Sequence, residues 1–370
     1  MEWMDRSAAL ERLGVKSQSL YAYVSRGLIR ARPDERDPRA SQYSASDIAR
    51  LMQRKRSRRS RAAVASQAIA WGDPVLETAL TGVEGGRLVY AGQDAVELAR
   101  TASLEDVARL LWGSAAPIAT TPRPRPPEQA TAKARALCWL AGEAAAQPLV
   151  STDEAWRLLD GVVDAACGIR GRGAIHGRLA AHWRAPGAAE AIRAALVLVA
   201  DHELNPSTFA ARVAAGTGAG LAACALAGLS TLTGPRHGEA SAGALTYLRE
   251  VAAGADPEAA VSRWMQAGAP GAGHLLYAGF DPRAAALLAV SGLGSQLTGA
   301  VEAAVAASGL APNIDMALAA LTVAHGLPDD APFVLFATGR MVGWLAHALE
   351  QHASGAAIRP RARYVGAAPA

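Results

Sequence analysis

Along most of the chain, apolar residues return every three or four positions, and short breaks of glycine, proline and small polar residues separate the stretches. That period belongs to helices with one buried face. It predicts helices near residues 129–146, 153–168, 188–200, 206–230, 239–253, 257–267, 283–291, 295–308, 313–325 and 330–352. Before them, Arg87–Tyr90 has a β-type pattern and two helices follow it. Ser103 is placed to cap the second, with Glu105 and Asp106 in its first turn, where they favour the helix dipole. The proline-rich segment 120–128 reads as an exposed loop. The apolar stretch 213–229 is about one membrane span long. Gly216, Gly218 and Gly220 interrupt it, so it is expected to be a buried core helix rather than a membrane segment.

The first residues have a different texture. In "SAALERLGVKSQSLYAYVSRGLIRA", Ser7 is placed to cap a first helix that turns Ala8, Leu10 and Leu13 inward, and Gly14 ends it. Ser17 is placed to cap a second helix with Leu20, Val24 and Leu28 on one face and Gln18, Ser19, Tyr21 and Arg26 off it. The polar "RARPDERDPRASQY" follows, and Ser44 is placed to cap a third helix. Two short helices joined by a glycine-containing turn form a helix-turn-helix pattern. A basic helical module that binds another protein fits the same pattern.

Charge sharpens that division. The net charge is +4, but residues 1–66 hold 15 Lys+Arg against 7 Asp+Glu and the remainder holds 22 against 26. The basic excess therefore belongs to the N-terminal module, which points to a polyanion partner there. "RKRSRRSR", residues 54–61, is either a solvated linker or a set of phosphate contacts. Alanine is abundant and aromatics make up 5% of the chain, which favours close-packed helices over sheets. Cys138, Cys167 and Cys224 are scattered and show no CxxC spacing, so they are expected to be buried thiols in a reducing cytoplasm. The N-terminus has no secretory signal pattern.

Polar residues collect at the breaks between the predicted helices. His202 precedes a helix opening at about Pro206, and His237 lies between two helices. His274 sits in a glycine-rich loop with Arg283 nine residues on, Asp315 near a helix start, and Arg340 inside the apolar "FVLFATGRMVGW". A buried Arg340 needs an anionic partner. Singly, each of the others has an ordinary structural reading. Together they are a parts list for carbon–carbon chemistry on a small polycarboxylate. Arginine forks bind carboxylates, neutral histidines polarise a carbonyl, and a carboxylate abstracts a proton α to a thioester. No HExxH, GxGxxG or Walker spacing is present, so no metal site is expected.

These residues sit in "GRLVYAGQDAVELARTASLEDVARLL", "ADHELNPSTFAAR", "GPRHG", "GAGHLLYAGFDPRA", "PNID" and "RMVGWLAHALEQ" followed by "IRPRARYVG". In content and order they resemble the citrate synthase family over about residues 67–366. Residues from about 5 to 55 resemble the winged helix-turn-helix of mercury-resistance-type regulators and excisionases. The resemblances imply a mainly α protein. A winged helix-turn-helix at 1–60 would precede a large helical domain at 61–237 and 333–370 and a small one at 238–332. They imply condensation of acetyl-CoA with oxaloacetate to citrate, as in the tricarboxylic acid cycle. His237 would hold the enol, Asp315 would take the methyl proton, and His274 would bond the ketone. His202, Arg283 and Arg340 would bind oxaloacetate, and Arg359 would reach the other subunit of a cytoplasmic homodimer. Acyl-CoA is a substrate, and no further cofactor is implied. Gln18, Ser19, Tyr21 and Arg26 would face DNA.

The chain departs from the family pattern at Arg236, Glu239, Ser241 and Ala242, and at Leu275, Leu276 and Ala278, where relatives carry "GHRVYK". Two cations near the coenzyme A phosphates are thereby replaced, with Arg236, Arg361 and Arg363 as possible substitutes. Two other functions stay open at this point. One is a 2-methylcitrate synthase using propionyl-CoA. The other is a DNA-binding regulator in which the synthase fold senses a carboxylate or acyl-CoA.

Overall fold

The structure is a computed structural model. It describes residues 3–13, 17, 20, 23–24, 28–34, 41–48, 76–114, 131–146, 148–169, 173–235, 237–238, 240–277, 279–362 and 364–366. The chain forms two compact units, Met1–Glu77 and Thr78–Ala370.

In the first unit, β1 (Trp3–Met4), α1 (Arg6–Leu13), β2 (Ala31–Pro33) and β3 (Ser41–Ser44) are followed by helical residues 45–48. The strands make one antiparallel sheet in the order β1-β3-β2. Its core is Ala9, Leu13, Leu20, Ile29, Tyr43 and Ile48. Four expectations are corrected here. Asp5, not Ser7, caps α1, because its carboxylate accepts the Ala8 N–H at 2.9 Å while Ser7 already lies inside the helix. Ala9, not Ala8, is the innermost alanine, and the following Ile29 takes the buried place expected of Leu28, which is exposed. Ser17 is itself helical rather than a cap. Ser44 does accept the Asp47 N–H, at 3.3 Å. Arg30 closes the module with a two-pronged ion pair to Asp47. Gln18, Ser19, Tyr21, Arg26 and the run 54–61 lie outside the described residues.

The second unit opens with a small antiparallel sheet, β4 (Thr81–Glu84), β5 (Arg87–Tyr90) and β6 (Gln93–Asp94). The rest of its described elements are helical: α2 (Ala95–Thr101), α3 (Leu104–Trp112), α4 (Ala132–Ala144), α5 (Thr152–Cys167), α6 (Ile175–His182), α7 (Ala189–Leu198), α8 (Pro206–Ala215), α9 (Leu221–Leu232), α10 (Ala240–Ala252), α11 (Pro257–Gln266), α12 (Pro282–Val290), α13 (Ser295–Ser308), α14 (Ile314–Ala324) and α15 (Ala331–Ser354). Short polar side chains start them: Ser103 forms a capping box with Asp106, and Asn205, Asp281 and Asn313 cap α8, α12 and α14. The single helix expected at 206–230 is two. The first ends at Ala215 with Gly216 as its cap, and Gly218, at φ +84°, turns the chain in a left-handed conformation before Gly220 opens the next. Cys167 and Cys224 are buried as expected, but Cys138 is exposed on α4. No helix among the described residues is long and apolar enough to cross a membrane.

Two cores hold this unit together. The larger takes residues from α2–α9 and α15, and from one side of α12 and α14. The smaller joins α10, α11 and α13 to Met316, Ala319 and Ala320 of α14. α14 is thus buried on both sides, and its first turn, with Asp315, lies between the two cores. The long α15 approaches the end of α7 closely. Its Gly343 N–H donates to Ala200 O at 3.0 Å, and a Cβ there would meet Asp201 Oδ1 at 2.3 Å. That approach places Arg340 beside the turn that carries His202.

Candidate active site

The turn from Val199 to Asn205 is held from several sides. The Tyr90 hydroxyl donates to Val197 O at 3.0 Å and accepts the Asp201 N–H at 3.3 Å. Asp201 is fully buried, with its Oδ2 accepting from His347 Nε2 at 3.0 Å. Arg212 donates to His347 Nδ1 at 2.9 Å, which leaves the His347 proton on Nε2. Burial pushes the Asp201 carboxyl up, but His347 and Arg340 outweigh it and the group stays below its ordinary value. Glu203 takes φ +50°, a strained conformation for a non-glycine residue, and its carboxylate ties down the Val83 N–H at 2.8 Å.

His202, Tyr277 and His274 then pack as a ring cluster. His202 Nε2 lies 2.8 Å from the Tyr277 hydroxyl, and its ring centroid is 5.0 Å from that of His274. His274 Nδ1 accepts the Leu276 N–H at 3.2 Å, so the ring's proton belongs on Nε2. His237 Nε2 lies 2.8 Å from Ser207 Oγ, which also accepts from Trp344 Nε1 at 3.1 Å. Burial, with Arg283 second for His274 and Arg340 second for His237, holds both imidazoles down at about 4. Burial, then Arg283 and Arg340, holds His202 well below its usual range. All three are neutral at pH 7.

Charge enters through two buried arginines and one aspartate. Arg283 is paired in both prongs with Asp281, at 3.0 and 2.8 Å, and lies 5.5 Å from the Tyr277 ring centre. Asp281 also accepts the Ile314 N–H at 3.1 Å, which ties the Arg283 pair to the start of α14. Arg340 differs from what its burial led us to expect. Its Nε donates to Val199 O at 2.9 Å and its guanidinium covers Phe336 at 4.8 Å, but no carboxylate closes on its fork among the described residues. Burial pushes its pKa down to about 10 against the pull of Asp201. The fork end of Arg340 is therefore set to take an anion from outside the chain. Asp315 is the converse. Its Oδ1 is enclosed and has no hydrogen-bond partner among the described residues, and burial pushes the carboxyl up to about 6 despite Arg283.

The structure thus gathers His202, His237, His274, Arg283, Asp315 and Arg340. It does not bring in Arg359, which is exposed. Among the departures from the family pattern, Leu275 and Leu276 follow His274 and are exposed, Leu275 at 80%. Arg236, Glu239, Ala278 and Arg363 lie outside the described residues. Sequence reasoning missed Tyr277, Asp281, Ser207 and Asp201. Each stands inside a quoted motif, within a few residues of one of the six, and that proximity was the available signal. No group of three or more His, Cys, Asp or Glu among the described residues is placed to hold a metal.

The sequence model described as "Citrate synthase, C-terminal domain" matches residues 170–361. Citrate synthase 2 of Bacillus subtilis is 37% identical over 189 residues, 48% of this chain and 51% of the relative. This chain thus spans about half the length of the curated relatives it matches. The fold is similar to that of the Thermotoga maritima citrate synthase crystal structure, with a TM-score of 0.65 at 24% identity over 82% of this chain and 97% of that one. It is also similar to the Thermoplasma acidophilum citrate synthase solved with carboxymethyl coenzyme A and oxaloacetate, with a TM-score of 0.64 at 23% identity over the same shares. From Thr78 onward the chain has the mainly helical citrate synthase fold, and it belongs to the citrate synthase family.

Proposed function

We propose that this protein condenses an acyl-CoA, acetyl-CoA first, with oxaloacetate and water to give citrate and coenzyme A. The observation that carries the reading is Asp315. An enclosed carboxylate oxygen without a partner, on a group held near 6, is a poor structural element and a good general base. Asp315 takes a proton from the thioester methyl group. His237 hydrogen-bonds the thioester oxygen as it becomes an enol. His274, with its proton on Nε2, donates to the ketone of oxaloacetate and makes that carbon electrophilic. Arg340 and Arg283, with His202, hold the carboxylates. The enol carbon bonds to the ketone carbon, and water then hydrolyses the citryl thioester. These steps need proton transfer and carbonyl polarisation and draw on no cofactor beyond the acyl-CoA.

We infer a large domain at 61–237 and 333–370 and a small one at 238–332; the smaller core lies within the second range, and α12 and α14 of that range also face the larger core. Closure of one on the other excludes water during condensation. The exposed Arg359 fits a role at the site of a second subunit, in a homodimer. Absence of membrane-spanning helices among the described residues and the free cysteines fit a cytoplasmic protein. The first unit, with its helix, its three-stranded sheet and the basic excess of residues 1–66, fits a winged helix-turn-helix on DNA through Gln18, Ser19, Tyr21 and Arg26. That module accompanies a catalytic site rather than replacing one, because a sensor needs Arg340 but has no use for a base at Asp315.

Product analysis tests the reading. Incubation with oxaloacetate and either acetyl-CoA or propionyl-CoA is expected to yield citrate or 2-methylcitrate by mass spectrometry, and the ratio gives the acyl preference. Failure with both at millimolar concentration overturns it. Retardation of DNA at low salt, lost when Arg26 and Gln18 are replaced by alanine, tests the N-terminal assignment.

A further inference from the structure

We propose that Tyr277 is a positioning residue for the 2-oxo acid: its hydroxyl donates to Nε2 of His202, holds the His202 proton on Nδ1, and so turns that nitrogen into a donor for a substrate carboxylate. The inference rests on the assignment of His202 to the oxaloacetate site.

Hydrogen-bond accounting decides the direction. Tyr277 is buried, and its hydroxyl has one partner among the described residues, His202 Nε2 at 2.8 Å. If Nε2 carried the proton and donated, the phenol proton would be left buried without an acceptor, at the full desolvation penalty of that group. If the phenol donates, the hydroxyl is satisfied and the imidazole proton must sit on Nδ1, which is not among the enclosed polar atoms left without a partner. Nδ1 makes no hydrogen bond with any described residue, although the ring is buried. Burial also keeps the phenol protonated, at about 12, and His202 neutral, so one proton is shared between the pair and its direction has meaning.

Placement makes Tyr277 more than a local partner. It lies on the same loop as His274, while His202 lies on the turn after α7. The Tyr277 ring also tilts against His274, with centroids 5.0 Å apart, and lies under the Arg283 guanidinium. One side chain therefore touches three of the groups assigned to oxaloacetate, and only its hydroxyl can be removed without disturbing the other two contacts.

Tyr277→Phe keeps the ring and removes the hydroxyl. In the full chain, calorimetric binding of oxaloacetate is expected to weaken about five- to tenfold, with KM for oxaloacetate rising in step. kcat, KM for acetyl-CoA and the melting temperature stay unchanged. With 15N-labelled histidine, the His202 signals, identified by their loss in His202→Asn, are expected to show a protonated Nδ1 in the wild type and a tautomer mixture in Tyr277→Phe. An unchanged dissociation constant, or an unchanged His202 tautomer, overturns the proposal. A wild-type chain that binds oxaloacetate but releases no thiol from acyl-CoA contradicts the condensation reading alone, and the comparison of dissociation constants still decides this one. A wild-type chain with no oxaloacetate affinity overturns both.

Discussion

The backbone N–H of Leu276 donates to Nδ1 of His274 at 3.2 Å, and this bond determines which nitrogen His274 offers to a substrate. Nδ1 is occupied as an acceptor, so Nε2 keeps the proton and the ring donates. Because burial holds the imidazole at about 4, it is a neutral donor at pH 7.

Replacing His274 with alanine removes that donor while leaving the Leu276 backbone in place. kcat for condensation is expected to fall about 10²–10³-fold, the range for loss of one donor to a developing oxyanion. Steady-state kinetics with circular dichroism as a folding control measures this. A loss of less than about fivefold contradicts the role, being far below that range.

Asp315 governs the acid limb of the rate. Since burial pushes its carboxyl up to about 6, kcat is expected to rise with pH through that value and then level off. The same displacement has a sign in stability. Unfolded, the group ionises near 3.8; folded, near 6, so its contribution is present below 3.8 and lost as pH rises through 6. Asp315→Asn is therefore expected to abolish turnover yet stabilise the fold at pH 8 by an amount on the order of 1 kcal/mol, seen as a melting temperature a few degrees higher.

Arg340 is buried, and no carboxylate pairs with its fork among the described residues. Arg340→Met is expected to weaken oxaloacetate binding about 10²-fold, as loss of a two-pronged charged contact does. Melting temperature stays level or rises, since a buried charge without an ion pair is removed. Arg340→Lys restores charge but not the fork, and is expected to recover little affinity. Calorimetry with oxaloacetate measures both.

The neutral histidines act in the opposite direction to Asp315. Unfolded, an imidazole binds its proton near 6.5; folded, His237 and His274 do so only near 4. Their contribution is fully present above 6.5 and is lost as pH falls toward 4. Thermal melts between pH 7 and 5 are expected to show falling stability, with a shallower fall in a His237→Gln, His274→Gln double variant. A flat profile contradicts the burial of these rings.

Helix positions in the second unit follow the apolar period closely, because each helix packs one face on a shared core and starts at a short polar cap. The error at 206–230 has a local cause. Alanine-rich sequence continues across the break, and the positive φ of Gly218 is a tertiary choice that the period does not register. In the first unit the misplaced caps and core residues, Ser7 for Asp5 and Leu28 for Ile29, are one or two positions off, which is what a short helix with few apolar residues allows. The six candidate residues were legible as polar interruptions, five at or near the breaks between helices and Arg340 inside one. Their partners were not. The bonds from Tyr277 to His202 and from His237 to Ser207 join positions 75 and 30 residues apart. Arg340 shows the limit most clearly. Sequence reasoning demands an anion for a buried arginine, and none closes on its fork among the described residues, a gap that the proposed carboxylate substrate would fill.

The central claim is that Asp315 is the base of a thioester condensation. Its most direct test is oxaloacetate-dependent release of free thiol from acetyl-CoA by the wild-type chain and by Asp315→Ala, each checked for an intact fold. The account predicts steady release by the wild type and loss of about three orders of magnitude or more in the variant, the scale of an essential proton-transfer group. Comparable rates in the two proteins, or a wild type that releases no thiol with acetyl- or propionyl-CoA, would contradict it.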